Sequence, residues 1–219
     1  MRKRKIAILG STGSIGTQAL NVINSNSDKF DVVALGAGSD ALKLFEQAHR
    51  FDVPMVSLAS NQSASKLKEE FKYNGEILSG IEGLCKCASE SYADIVLVAT
   101  TGQVGFTPTV SAIRSGIDIA LASKELLVMA GQTITSMASD NDVTIFPIDS
   151  EHSAIWQCLQ GERVENAHKI ILTASGGPLR QYPIEELKHV SPAQALAHPN
   201  WDMGHKISID SATMMNKAL

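Results

Sequence analysis

Gly10-Ser11-Thr12-Gly13-Ser14-Ile15-Gly16 stands directly after the apolar run 6–9, and behind it Ile15, Ala19, Leu20, Val22 and Ile23 recur at helical spacing. Glycines let a backbone turn tightly and approach a pyrophosphate. The helix N-terminus that follows offers N–H groups and a positive dipole end. The spacing is G-x-x-G-x-x-G rather than G-x-G-x-x-G, a weak signal alone. Its place between an apolar strand and an amphipathic helix, near the start of the chain, makes it a dinucleotide-binding turn. The bland alternative is a glycine-rich turn that binds nothing.

Working outward, strand-like runs at 32–35, 55–58, 94–99, 117–122 and 143–148 alternate with helical patterns at 41–48, 63–71, 107–114 and 125–138. Strands apolar throughout and separated by helices predict a parallel sheet covered on both faces. The expected class is therefore α/β, a Rossmann-like doubly wound sheet over 1–146. The texture changes after Phe146, where glycines and prolines punctuate the chain, and 147–219 reads as a second, α/β catalytic domain. Within it, 169–173 reads as a strand, and the aperiodic stretch of about 175–206 as a lid loop containing Trp201 and Met203. The last residues read as a helix begun near Asp210 and left without a cap, as if cut.

Composition removes several classes. The 219 residues are 44% hydrophobic and 19% charged, enough apolar content for a core. A net charge of -4 offers no basic field for nucleic acid. No apolar run approaches the ~20 residues of a membrane helix. Basic residues at 2–5 imitate the start of a signal peptide, but the apolar stretch behind them stops at Gly10. A soluble, cytoplasmic protein is expected. Cys85, Cys87 and Cys158 are an odd set, without zinc spacing, and read as reduced thiols.

Other stretches carry chemistry. The second strand runs into Gly36-Ala37-Gly38-Ser39-Asp40, without the acid at its tip that holds a ribose 2′-hydroxyl in NAD sites, so NADP is favoured. Asp40 reads best as the cap of the next helix. Asp149-Ser150-Glu151 follows a strand. If extended, its two carboxylates face one side, as hard oxygen ligands suited to Mg²⁺ or Mn²⁺. A D-x-E is as readily a solvated strand end or a helix cap. Lys124-Glu125, behind Ser123, ends a parallel strand, where ligands gather. Thr173-Ala174-Ser175-Gly176-Gly177 is a candidate anion nest. Ser208, Ser211, Asn216 and Lys217 add polar donors and a cation, and His198 lies in the lid. Taken singly, each also reads as ordinary surface polarity.

Together these segments resemble the 1-deoxy-D-xylulose 5-phosphate reductoisomerase family from Ile6 to Leu219, above all in GSTGSIG at 10–16, DSEH at 149–152 and HPNWDMGHKISIDSATMMNKAL at 198–219. The resemblance implies an NADPH- and divalent-metal-dependent enzyme of the methylerythritol phosphate route to isoprenoids, a homodimer acting on a small sugar phosphate. Carried over by position, Thr12, Gly13, Ser14, Ile15, Gly38, Ser39, Asp40, Ser123, Glu125 and Gly204 become cofactor contacts. Ser39 and Asp40 stand where the family commonly has Lys and Asn, and Ser123 where it commonly has Asn. Asp149 and Glu151 become metal ligands. Lys124, Ser150, Glu151, Ser175, His198, Ser211, Asn216 and Lys217 become substrate contacts, with Lys124, Asp149, Glu151 and His198 nearest the chemistry.

The family chemistry so implied is metal-assisted rearrangement of the carbon skeleton, then hydride transfer from NADPH to give 2-C-methyl-D-erythritol 4-phosphate. The family pattern also leads one to expect a third metal ligand, a Glu, after Leu219, followed by a C-terminal helical domain. Two rival readings are a non-catalytic NADP-binding protein and a semialdehyde-type dehydrogenase, although no Cys is set up as a nucleophile.

Overall fold

Strand β1 (Arg4–Leu9) forms the middle of a sheet whose order explains where ligands can reach it. In the computed structural model, which describes residues 2–219, the chain leaves β1 through α1 (Ser14–Ser25) to β2 (Phe30–Ala37), α2 (Ala41–Arg50) and β3 (Met55–Leu58). It continues outward through α3 (Asn61–Glu69) to the edge strand β4 (Glu76–Ser79). Helix α4 (Gly80–Ser89) then returns it to the other side of β1, where β5 (Ile95–Val98), α5 (Phe106–Arg114), β6 (Asp118–Leu121), α6 (Lys124–Asp140) and β7 (Ile145–Pro147) follow. The seven strands lie in the order β4-β3-β2-β1-β5-β6-β7, and every pairing is parallel.

Alternation along the strands sends side chains to opposite faces. Ile6 and Ile8 pack with Leu20, Leu44 and Leu67, from α1, α2 and α3. Ala7 and Leu9 pack with Leu84, Ile113, Leu126 and Ile134, from α4, α5 and α6. Both faces are thus covered, which is why these strands are apolar throughout. Ile8 and Leu9 are fully buried. Each contributes about 1.5–3 kcal/mol by leaving water, and Ile8→Ala would cost about 2–5 kcal/mol.

The chain separates into two compact units, Met1–Ser153 and Ala154–Leu219. The second has short elements: the end of α7 (Ser150–Cys158), α8 (Pro192–Leu196), α9 (His205–Ala212) and α10 (Met215–Ala218), with 3-10 turns at Val164–Asn166 and Ile184–His189. A capping box joins Ser191 and Gln194 at the start of α8. Among the described residues no helix is long and apolar enough to cross a membrane.

Three local expectations need correction. Residues 169–173 form no strand; Ile170, Ile171 and Leu172 are 67%, 71% and 52% exposed. Their apolar run is strand-like, but an isolated strand leaves its backbone groups without partners, and no strand lies beside it among the described residues. Residues 149–151 are not extended, because Ser150 and Glu151 already belong to α7. The last helical stretch starts at His205, not near Asp210, and breaks at Met214, whose φ is +62°.

Candidate functional site

The connection out of β1 runs one way along the sheet and the connection into β5 runs the other. A crevice therefore opens at the carboxyl ends of β1 and β5, the position where doubly wound sheets bind ligands. The glycine turn occupies it. Gly10 has φ +92°, and a Cβ there would lie 2.5 Å from the Ala99 carbonyl oxygen. A Cβ on Gly16 would lie 2.3 Å from the Gly10 oxygen, so that glycine lets α1 pack onto the strand end. Gly13 differs. Its Cβ would meet only the Gly10 oxygen, at 3.3 Å, and it stands exposed as the N-cap of α1 with no side-chain cap. The first-turn N–H groups of a helix have no intrahelical acceptors.

Helix α2 secures this turn. Gln47 Nε2 donates to the Ser11 carbonyl at 3.0 Å, and Lys43 Nζ to the Thr12 carbonyl at 2.8 Å. The backbone N–H groups of Gly10 and Ser11 both donate to Gly36 O. Asp40 caps α2, with its Oδ1 accepting from Lys43 N at 3.0 Å, so the capping role read from the sequence is the one seen. Gly38 and Ser39 are exposed beside it. Ser11 Oγ and Thr100 Oγ1 are buried without a hydrogen-bond partner. Unsatisfied buried hydroxyls cost stability. Two of them at the crevice, beside an open helix N-terminus, fit a bound dinucleotide.

The next two strand ends carry a nearly buried charged pair. Ser123 caps α6 and donates through Oγ to the Thr100 carbonyl, tying the ends of β5 and β6 together. Lys124 Nζ lies 3.1 Å from Asp149 Oδ2, with side chains only 10% and 13% exposed. The other oxygen, Asp149 Oδ1, accepts from Glu151 N at 3.2 Å and His152 N at 3.5 Å, which makes Asp149 the cap of α7. Ser150 Oγ donates to Glu151 Oε2 at 3.0 Å. Glu125 is half-buried in the first turn of α6. Asp149 is thus both helix cap and partner of Lys124. As hard oxygen donors two positions apart at the start of α7, Asp149 and Glu151 have the donor chemistry for Mg²⁺ or Mn²⁺. No group of three potential ligands occurs among the described residues.

The second unit has a polar centre of its own. Its buried side chains are Ser208, Asp210 and Ser211. Ser175 Oγ lies 3.3 Å from both His198 Nε2 and Ser211 Oγ. His198 Nδ1 accepts from the backbone N–H groups of Asn200 and Trp201, at 3.3 and 3.2 Å. In the neutral ring the proton therefore sits on Nε2 and points at Ser175. The same imidazole stacks on Trp201, with ring centroids 5.0 Å apart. Gly177, at φ +65°, lies so close to α9 that a Cβ would be 2.6 Å from Ser211 O. Asn216 and Lys217 are half-buried on α10, Gly204 caps α9, and Met203 is half-buried beside it.

The sequence reading singled out the glycine turn, Lys124, Asp149, Ser175, His198 and Ser211 one by one; the fold brings Lys124 against Asp149, and Ser175 against His198 and Ser211. It missed Ser11, Thr100, Lys43 and Gln47. The available signal was the Lys43–Gln47 pair, spaced i, i+4 on the helix after β2 and hence on one face.

Known proteins are similar to this chain over nearly its whole length. The model of the 1-deoxy-D-xylulose 5-phosphate reductoisomerase family fits residues 6–131, and that of the family's C-terminal domain fits residues 145–219. The reductoisomerase of Chlorobaculum tepidum is 49% identical over 217 residues, which cover 99% of this chain and 57% of the relative. A crystal structure of DOX-P reductoisomerase in complex with NADPH, fosmidomycin and magnesium superposes with a TM-score of 0.89 at 40% identity, covering 98% of this chain and 55% of that one. The enzyme from Zymomonas mobilis in complex with NADPH gives 0.85 at 38%, covering 99% and 56%. The chain spans a little over half the length of these relatives.

Proposed function

The chain belongs to the 1-deoxy-D-xylulose 5-phosphate reductoisomerase family, and from that membership we propose that it is the nucleotide- and substrate-binding portion of an enzyme converting 1-deoxy-D-xylulose 5-phosphate to 2-C-methyl-D-erythritol 4-phosphate. The observation that carries the reading is that both family models match while the glycine turn of Gly10, Gly13 and Gly16 sits at the sheet's reversal point. We assign 1–146 to the dinucleotide domain and 147–219 to the catalytic domain, a boundary seven residues before the end of the first compact unit at Ser153. The enzyme acts as a cytoplasmic homodimer.

In this reading Thr12, Gly13, Ser14 and Ile15, together with Gly38, Ser39 and Asp40, would hold the dinucleotide, and Ser123, Glu125 and Gly204 would be further cofactor contacts. Asp149 and Glu151 would hold a divalent ion. When bound, NADPH supplies the hydride and the ion supplies Lewis acidity. Lys124, 3.1 Å from Asp149, fixes that carboxylate and presents a cation to the substrate's reacting end, beside Ser150. Ser175, Ser211, Asn216 and Lys217 bind the phosphate, so that binding energy far from the reacting atoms orients the molecule. His198 directs its Nε2–H at Ser175 and carries Trp201 on its ring. Closure of the 175–206 lid, with Met203, would exclude water.

Relatives crystallised with NADPH, magnesium and fosmidomycin support these ligands for this chain. The test is binding to residues 1–219. NADPH should bind, and fosmidomycin should bind more tightly with Mg²⁺ or Mn²⁺ than with a chelator. Failure to bind NADPH, or fosmidomycin binding indifferent to metal, would refute the reading.

A further inference from the structure

We infer that Lys43 selects NADP over NAD by pairing with the cofactor's 2′-phosphate; the inference rests on the dinucleotide reading above. It starts from an anomaly on α2. Asp40 is the N-cap and Lys43 is its N3 residue. N3 is where a Glu or Gln would close a capping box, and a cation in a first turn opposes the helix dipole. Lys43 serves neither purpose. Its side chain crosses to the other turn, donating to the Thr12 carbonyl 31 residues earlier.

Holding the turn does not by itself require a charge, because Gln47 one helical turn on already donates to the neighbouring Ser11 carbonyl. What Lys43 adds is an ammonium between the pyrophosphate turn and the end of β2. The latter is the region that meets the adenosine ribose in this fold. Within 10–17 and 36–47, the two segments that frame this place, Lys43 is the sole Lys or Arg. The candidate acid, Asp40, has its Oδ1 turned to the backbone N–H of Lys43 as a cap. An ammonium carries three donors, of which the Thr12 contact needs one. The others suit a phosphate dianion, and a ribose hydroxyl gives them far less.

The test measures binding of NADPH and NADH to residues 1–219 and to Lys43→Met and Lys43→Arg, with 2′,5′-ADP and 5′-AMP as competitors. Lys43→Met should weaken NADPH and 2′,5′-ADP by about 10- to 100-fold, the range for a lost hydrogen bond between charged groups. NADH and 5′-AMP should change by less than about twofold, and Lys43→Arg should keep the preference. Equal loss of both dinucleotides would show that Lys43 only props the glycine turn, and no loss would show that it does nothing for the nucleotide. Either result overturns the inference while leaving the dinucleotide site standing. If the unaltered chain bound neither nucleotide, the broader reading would fall, and this one with it. Should Lys43→Met not fold, the ratio of NADPH to NADH affinity in Lys43→Arg and Lys43→Gln decides the matter: a ratio kept by Arg and lost by Gln supports it, and a ratio unchanged in both overturns it.

Discussion

Substituting alanine for the glycines of the turn one at a time should separate support of the fold from support of the ligand. At Gly16 the new methyl carbon would sit 2.3 Å from Gly10 O, 2.5 Å from Ser11 Cα and 2.8 Å from Ser11 C, against ordinary contact beyond 3.4 Å. All three neighbours are backbone, so no side chain can swing aside, and the turn must move by about 1 Å. Overpacking of this kind costs about 1–3 kcal/mol, and three backbone contacts put Gly16→Ala near the upper end. Helix propensity returns at most about 1 kcal/mol, leaving a net loss of about 2 kcal/mol. At about 2–4 °C per kcal/mol for a chain of this size, Tm should fall by about 4–8 °C. Gly13→Ala meets one oxygen at 3.3 Å and otherwise open space. Its Tm should move by no more than about 2 °C, while a methyl on the open face of the turn should weaken NADPH by about 5- to 100-fold. Calorimetry and NADPH titration of both variants give the answer. A Gly16→Ala protein as stable as the parent, or a Gly13→Ala protein with undiminished NADPH affinity, would refute the division of roles.

Three further outcomes follow from particular contacts. Lys124→Met removes the counter-ion of a nearly buried Asp149 and should cost about 3–5 kcal/mol; adding Asp149→Asn should recover part of that loss, and additive effects in denaturant melts would rule out coupling. Burial pushes the Cys87 thiol up from 9.0 to about 12 and, with nearby negative charge, the Tyr73 hydroxyl from 10.0 to about 12. In both cases the unfolded chain gives up its proton first, so stability should be intact below pH ~9 and fall as pH rises towards ~12, by up to about 1.4 kcal/mol per pH unit for buried Cys87 and by less for half-buried Tyr73, which water screens. A flat alkaline stability profile would contradict this. Residues 161–170 are exposed throughout, and Arg163 is 81% exposed. Brief trypsin treatment should therefore cut at Arg163 and Lys169 before any site within the sheet, a result mass spectrometry reads directly.

The doubly wound sheet was legible in the sequence because its strands are short, apolar on both faces and separated by helices. That pattern exists only because Ile6 and Ile8 face one helical layer while Ala7 and Leu9 face the other. The edge strand β4 escaped notice for the converse reason. Glu76-Ile77-Leu78-Ser79 has two apolar residues, and none of the four is fully buried, so no continuous run marks it. Asp40 as a cap was legible from local chemistry alone.

Asp149-Ser150-Glu151 was harder, since the same three letters serve an extended metal clamp and a helix start. The choice lies in the backbone. Once Asp149 Oδ1 accepts from the N–H groups of Glu151 and His152, the segment is committed to α7. Its second oxygen then meets Lys124, whose place is fixed by a different strand, 25 positions earlier. No periodicity reports such a pairing. The same holds for the Ser175–His198–Ser211 cluster, whose members are separated by 23 and 36 positions from Ser175. It holds for Lys43 as well, which sits at the wrong end of a helix by local rules and makes sense only beside Thr12. Residues that violate local preference are where tertiary function shows through. In this chain the violation at Lys43 says more about cofactor choice than the missing acid at the end of β2. A missing acid only permits a 2′-phosphate, whereas a placed cation attracts one.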